Sequence, residues 1–175
     1  NTEKNKNECW KTNALGTQNI LKACKINKIN FLIFSSSSEV YGEQIYSKIN
    51  ENHPLLGNNI YAMSKISSEN SIKIFERQNK QFSFCNLRLF NTYGIGQVAK
   101  FFISKSCLNI KNKKPIIING NGNQLRGYCY SSDSAYYIYL CLKHRNKVKN
   151  LTLNVGNSKE VYGLVDLIKI MSKIE

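Results

Sequence analysis

The stretch Asn30-Phe31-Leu32-Ile33-Phe34-Ser35-Ser36-Ser37-Ser38 constrains the fold more than any other part of this chain of 175 residues. An unbroken apolar run reads as a strand buried on both faces, and such strands belong to parallel sheets covered by helices. The run stops at four consecutive serines. A strand whose carboxyl end is all hydroxyl opens there onto polar space, and open α/β sheets place their ligands at that end. Helical and strand patterns alternate around it. Cys9 to Ile26 carries Trp10, Ala14, Leu15, Ile20, Leu21 and Cys24 at helical spacings, with Asn13 and Gly16-Thr17 on a face packed closely against a neighbour. Residues 1 to 8 are polar and read as a looped or frayed start. Glu43 to Asn59, with Pro54 and Gly57, reads as loop. Asn59 to Asn79 reads as a second helix, with Ile66, Ile72, Ile74 and Phe75 on its buried side. Phe82 to Leu89 is the next strand. Helix, strand, helix, strand with short joins predicts parallel crossover units and an α/β fold.

Beyond Gly94 the pattern changes. Val98 to Ile110 reads as an amphipathic helix, Pro115 to Ile118 as a short strand, and Tyr128 to Tyr130 as another. Ser134 to Arg145 is helical, Leu151 to Val155 a strand, and Gly163 to Ile174 a last helix. Asp133 is placed to cap the helix that follows it. No repeat or independent linker divides the chain.

The formal charge is +14. The lysines are spread through every segment among asparagines and isoleucines, so the charge reads as a biased, solvated surface and not as a nucleic-acid face. It still draws anionic ligands. No apolar segment is long enough to span a membrane as a helix. The six cysteines form no Cys-x-x-Cys pair, and with only two histidines no zinc site is expected. Cys85 and Cys141 lie in apolar runs and read as small buried hydrophobes. Reduced thiols fit a cytoplasmic protein best.

Tyr61 and Lys65 stand four apart in Asn59-Ile60-Tyr61-Ala62-Met63-Ser64-Lys65, so a helix puts both on one face. A phenol titrates near pH 10 and is a poor base at neutrality. Holding it about three pH units lower needs about 4 kcal/mol, and a nearby ammonium can supply much of that. The pair can then act as a general base toward a hydroxyl proton.

Ser35-Ser36-Ser37-x-x-Val40-Tyr41-Gly42, then Tyr61-x-x-x-Lys65, then Arg88-Leu89-Phe90-Asn91-Thr92-Tyr93-Gly94, resembles the extended short-chain dehydrogenase/reductase family. The likeness is narrower to the NAD-dependent nucleotide-sugar epimerases and dehydratases. It runs from about Asn13 to about Gly156. It implies a partial Rossmann-like parallel sheet with an interleaved small substrate-binding region. Residues 1–92 would be the later part of the NAD-binding domain, and 93–175 substrate elements interleaved with returning Rossmann elements. It implies an enzyme with NAD as cofactor and a nucleotide-diphosphate sugar as substrate, acting as a UDP-sugar 4-epimerase through a 4-keto intermediate. Ser37 would hydrogen-bond the reacting sugar oxygen, Tyr61 would take its proton, and Lys65 would hold the cofactor ribose and depress the phenol. Ser35, Ser36 and Asn13 would lie on the cofactor side. Asn91 and Arg126 would bind the substrate, the arginine at its diphosphate. The likeness also implies a homodimer built on the helix bearing Tyr61 and the helix before it.

Two departures bear on the reaction. Glu39, before Val40-Tyr41-Gly42, resembles the 4,6-dehydratases and UDP-glucuronate decarboxylases, where a carboxylate could take the C5 proton. Gly127 stands where many relatives have aspartate. Gly120-Asn121-Gly122 lacks the third glycine of a dinucleotide fingerprint and no helix begins directly after it, so it is a decoy. The glycine-rich turn and the acidic ribose ligand are absent, so the chain reads as a fragment of a longer enzyme that binds NAD poorly by itself. Two readings compete from other classes: a silent sugar-nucleotide-binding or dimerising remnant, and a basic nucleic-acid binder, for which no motif is present.

Overall fold

In the computed structural model, which describes residues 5–46, 48–159 and 161–173, the serine run ends a strand as expected. The strand is β1 (Phe31–Ser37), and it carries the first three serines. β1 pairs in parallel with β2 (Ser83–Leu89), and β2 pairs in parallel with β5 (Leu151–Val155), giving the order β1-β2-β5. Ser36 lies opposite Arg88 in this register. β2 is the middle strand, and Phe84 to Arg88 are buried without a break. Alternate residues of β2 serve two cores. Phe84 packs with Leu21, Cys24, Ile72 and Phe82 on the helical face. Cys85 and Leu87 pack with Cys141 and Val155 on the other.

The amino-terminal helix begins earlier than its apolar pattern suggests. α1 (Lys6–Trp10) starts behind Asn5, whose side chain accepts from the Glu8 amide, so residues expected in a loop are helical from Lys6 on. Residues 1–4 lie outside the described residues. A π-helical turn (Lys11–Leu15) joins it to α2 (Gly16–Ile26). The close packing expected at Gly16-Thr17 belongs to the threonine. Thr17 is buried against Ser68, whereas a Cβ on Gly16 would make only an ordinary contact. The serine strand runs into a 3-10 turn (Ser38–Tyr41) and the loop that follows Gly42.

α3 (Ile60–Gln78) starts where Asn59 caps it, its side-chain oxygen accepting from the Ala62 amide at 2.9 Å. Its buried stripe differs from the expected isoleucines. Ala62, Ser64, Ser68, Glu69 and Ile72 are buried, while Ile74 is exposed. Small and polar residues win because α3 lies close on the α1/α2 segment, with hydroxyls bridging the backbones. Thr17 and Ser68 both donate to the Asn13 carbonyl, at 2.7 and 3.1 Å.

Two units divide the chain: Asn1–Leu89 with Tyr137–Val155, and Phe90–Tyr136 with Gly156–Glu175. The second holds β3 (Asn91–Tyr93) and α4 (Phe102–Lys111), and then β4 (Leu125–Tyr130), which pairs with β3 in parallel. α5 (Ser131–Lys143) and α6 (Arg145–Val148) follow. β6 (Val161–Gly163) pairs with β4 antiparallel, and α7 (Leu164–Ser172) completes this unit. Ile174, the expected end of the last helix, lies outside the described residues. Pro115 to Ile118 is not a strand; it has no ladder partner among the described residues. Asp133 sits inside the first turn of α5 and not at its cap, where its charge still suits the helix dipole.

Candidate active site

α3 and the end of β1 bring together the residues that the sequence singles out. Ser37 is the last residue of β1 and is buried. Its hydroxyl oxygen accepts from the Glu39 amide at 3.2 Å, which caps the 3-10 turn. It also lies near enough to the Tyr61 phenol to favour its ionised form. Lys65, one turn further along α3, points its Nζ at the Ser35 carbonyl, 2.9 Å away. The same ammonium lies 5.7 Å from the centre of the Tyr61 ring and 4.9 Å from that of Phe34. Neither Tyr61 nor Lys65 is sealed in the interior.

The electrostatics correct one expectation. Lys65 was expected to depress the Tyr61 phenol, yet burial pushes that phenol above its ordinary value. The nearby Ser37 hydroxyl pulls it down, and Glu39 and Cys9 push it up further. Lys65, with its Nζ on the Ser35 carbonyl, does not offset this. Burial also lowers the Lys65 ammonium, with Cys9 acting in the opposite sense. An ammonium has three donors, and Ser35 takes one. The others suit a diol such as a ribose, so this donor set fits the ribose end of a dinucleotide.

Ser36 turns the other way. It is buried, and its hydroxyl donates to Glu69 at 2.6 Å. Glu39 is exposed, and its carboxylate accepts from Asn59 at 3.4 Å. Asn13 lies in the π-helical turn, with its side-chain amide 3.4 Å from the Cys9 sulfur. No cluster of His, Cys, Asp and Glu able to hold a metal ion exists among the described residues.

Asn91 and Arg126 belong to the second unit. There they line one cleft of about 230 Å³ together with Gln97, Gln124 and Tyr128. Asn91 donates to the Gly127 carbonyl at 3.4 Å. Arg126 is exposed, and among the described residues it donates only to the Leu125 carbonyl, in a long 3.4 Å contact. Most of its five donors therefore face the cleft or solvent. Burial raises the Tyr128 phenol and Arg126 lowers it, so the guanidinium's field reaches into the cleft. Gly127 presses on a neighbouring backbone: a Cβ there would fall 2.8 Å from the Asn157 carbonyl oxygen. That approach excludes an aspartate at this position without movement.

Glu69 and Arg88 escaped the sequence reading as site residues. Arg88 is 3% exposed and Glu69 fully buried, and they form a bidentate pair with a shortest distance of 2.7 Å. The signal was present. Glu69 continues the row of Tyr61 and Lys65, and a lone arginine in an apolar strand requires a partner.

A profile of the NAD dependent epimerase/dehydratase family matches residues 1–156. Among curated proteins, the chain is 36% identical over 167 residues to a putative UDP-glucose 4-epimerase of Methanocaldococcus jannaschii, covering 90% of this chain and 52% of that one. It is 32% identical over 171 residues to a trifunctional UDP-glucose 4,6-dehydratase, epimerase and reductase of Arabidopsis thaliana, covering 95% of this chain and 25% of that one. Among solved structures, it resembles a UDP-N-acetylglucosamine 4-epimerase of Methanobrevibacter ruminantium with a TM-score of 0.85 and 28% identity, covering 94% of this chain and 53% of that one. The chain thus spans about half the length of the first of these relatives.

Proposed function

The chain belongs to the NAD dependent epimerase/dehydratase family, and from that premise we propose that it supplies the proton-handling part of an enzyme that oxidises a nucleotide-diphosphate sugar at C4, as a UDP-sugar 4-epimerase. The observation that carries this reading is the convergence of Ser37, Tyr61 and Lys65 at the carboxyl end of β1. Tyr61 as phenolate accepts the C4 hydroxyl proton. Ser37 donates a hydrogen bond to the same oxygen and steadies the charge that develops there. Lys65 binds the cofactor's ribose hydroxyls and, drawn off the Ser35 carbonyl, favours the phenolate. Asn13 and the Ser35-Ser36 segment form the floor of that side. NAD, when bound, supplies the two-electron acceptor and is restored at the end of the cycle. The cleft lined by Asn91 and Arg126 takes the substrate's diphosphate portion, where a guanidinium fork matches phosphate oxygens.

A second reading rests on Glu39. Its carboxylate is exposed and close enough to the Tyr61 phenol to raise it. There it can take a second proton, from C5 of the 4-keto sugar, so that the C5–C6 double bond forms as the C6–O bond breaks and the C6 hydroxyl, protonated, leaves as water. A homodimer is the expected assembly, since Ile20 on α2 and Met63 and Ile74 on α3 are exposed apolar residues. No helix among the described residues is long and apolar enough to cross a membrane, and all six thiols are free, which suits a cytoplasmic enzyme.

The test uses the full-length protein with NAD and a panel of UDP-, dTDP- and GDP-sugars, with products read by mass. An epimer of unchanged mass supports the first reading; loss of water supports the second. Tyr61→Phe is expected to lower turnover at least 100-fold while leaving the fold intact. Near-parent turnover in that variant removes Tyr61 from its role.

A further inference from the structure

We propose that Glu69 and Arg88 are positioning residues that hold α3 in the rotation Tyr61 and Lys65 require; this rests on the reading of Tyr61 as the base. Tyr61, Lys65 and Glu69 follow one another at steps of four along α3. Each meets a different one of three consecutive residues of β1. The Ser37 hydroxyl lies beside the Tyr61 phenol, near enough to favour its ionised form. The Ser35 carbonyl takes Lys65 at 2.9 Å, and the Ser36 hydroxyl donates to Glu69 Oε1 at 2.6 Å. A helix turned by one residue, about 100°, breaks all three contacts at once. The three contacts therefore select one rotation.

The contact made by Glu69 is the one withdrawn from water, with Glu69 at 0% and Ser36 at 3% exposure. A carboxylate in that place requires a charged partner. Arg88 supplies it from the middle strand, Nε to Oε1 at 3.0 Å and Nη2 to Oε2 at 2.7 Å. Its remaining nitrogen, Nη1, donates to the Tyr41 hydroxyl at 3.0 Å and to the Glu51 carbonyl at 3.2 Å. Tyr41 in turn donates to Asn154 Oδ1 on β5 at 2.6 Å. One buried pair thus ties α3 to all three strands and to the turn that follows Ser37. Neither residue reaches the end of β1 where the sugar oxygen would lie. Their effect passes through Tyr61 and Lys65.

The experiment uses the full-length protein with NAD and a nucleotide sugar that it turns over. Glu69→Leu/Arg88→Met removes the pair without leaving a buried charge, so folding is expected to survive. The expected result is a kcat about 10- to 100-fold lower, with the substrate KM within about threefold of the parent's. A second readout follows the phenol itself, by ultraviolet difference titration of each protein against its own Tyr61→Phe counterpart. In the double variant the phenol, which faces Ser37, Glu39, Cys9 and Lys65, is expected to titrate at lower pH than in the parent, since burial is the largest cause of its rise. Ser36→Ala deletes one contact and no charge. It is expected to move both readouts in the same direction by less, and it keeps the proposal testable if the double variant fails to fold. Either readout staying at the parent value in a folded variant overturns the proposal. If Tyr61→Phe itself turns over normally, the reading beneath it falls as well; if Tyr61→Phe is inactive and the double variant normal, only the positioning role falls.

Discussion

Gly42→Ala should destabilise the protein although Gly→Ala changes often do the reverse. Gly42 closes the turn after Tyr41 with φ at 64° and ψ at −124°, a combination that residues with a Cβ rarely adopt. An added Cβ would lie 2.0 Å from the Leu56 carbonyl oxygen and 2.6 Å from its carbon. Those are backbone atoms and cannot rotate aside. Restricting the unfolded chain would favour folding by about 0.4–1 kcal/mol. Against it stand about 1–3 kcal/mol for the strained dihedrals and a further 1–3 kcal/mol, roughly, for the overlap. The balance is a loss of about 1–5.6 kcal/mol, or a factor of roughly 5 or more in the folding constant. Gly96→Ala is the control. Gly96 also has a positive φ, of 84°, but nothing lies within 4 Å of its Cβ position. That variant carries the dihedral cost alone. Urea unfolding of both variants in the full-length protein reads the difference from the midpoints at constant slope. A Gly42→Ala protein as stable as Gly96→Ala would refute the claim that Leu56 blocks the position.

The remaining expectations are shorter. Cys107 is the one exposed thiol of the six, so peptide mapping after a brief native treatment with a thiol reagent should find label there first. Cys85 should resist, since burial pushes its thiol to about 12 with the Cys141 thiol adding to the rise. The raised Cys85, Tyr41 and Tyr61 groups contribute stability that is complete below their ordinary values near 9 and 10 and is lost as pH rises through the folded ones. Lys65, shifted down, acts in the opposite sense. Urea midpoints should therefore fall between pH 8.5 and 11, roughly, and a flat profile would count against the burial of these groups. Arg126→Ala should raise the KM for a nucleotide-diphosphate sugar by about 10- to 100-fold with a smaller change in kcat, as expected for the loss of charge-assisted hydrogen bonds. An unchanged KM would take Arg126 out of substrate binding.

The sheet was legible because its residues announce it. An apolar run such as Phe31 to Phe34, closed by serines, has few other uses, and Asn59 marked the start of α3 within one residue. The row of Tyr61, Lys65 and Glu69 was equally plain. What its third member does was not, because the partner of Glu69 lies on a strand 19 residues away and no local period records such a pairing. The buried stripe of α3 was misread for a related reason. Hydropathy ranks Ile74 above Ser64 and Ser68, but close helix packing selects small side chains that reach a neighbouring backbone. The state of the Tyr61 phenol could not be read from spacing either. A step of four puts Lys65 beside the ring, but how far the fold buries the phenol, which sets the direction of its shift, is a tertiary property.

The outer side of β1 carries a practical consequence. Among the described residues β1 is laddered only to β2, and its seven residues include no charge and no proline. Apart from the Ser35 carbonyl, which Lys65 occupies, its outward amides and carbonyls form an adhesive rim that another extended peptide can extend. Material spanning only this segment should gelate or precipitate on concentration, whatever its net positive charge. A short solubilising peptide designed to lie along Phe31–Ser37 would mask the rim and make such material tractable for spectroscopy.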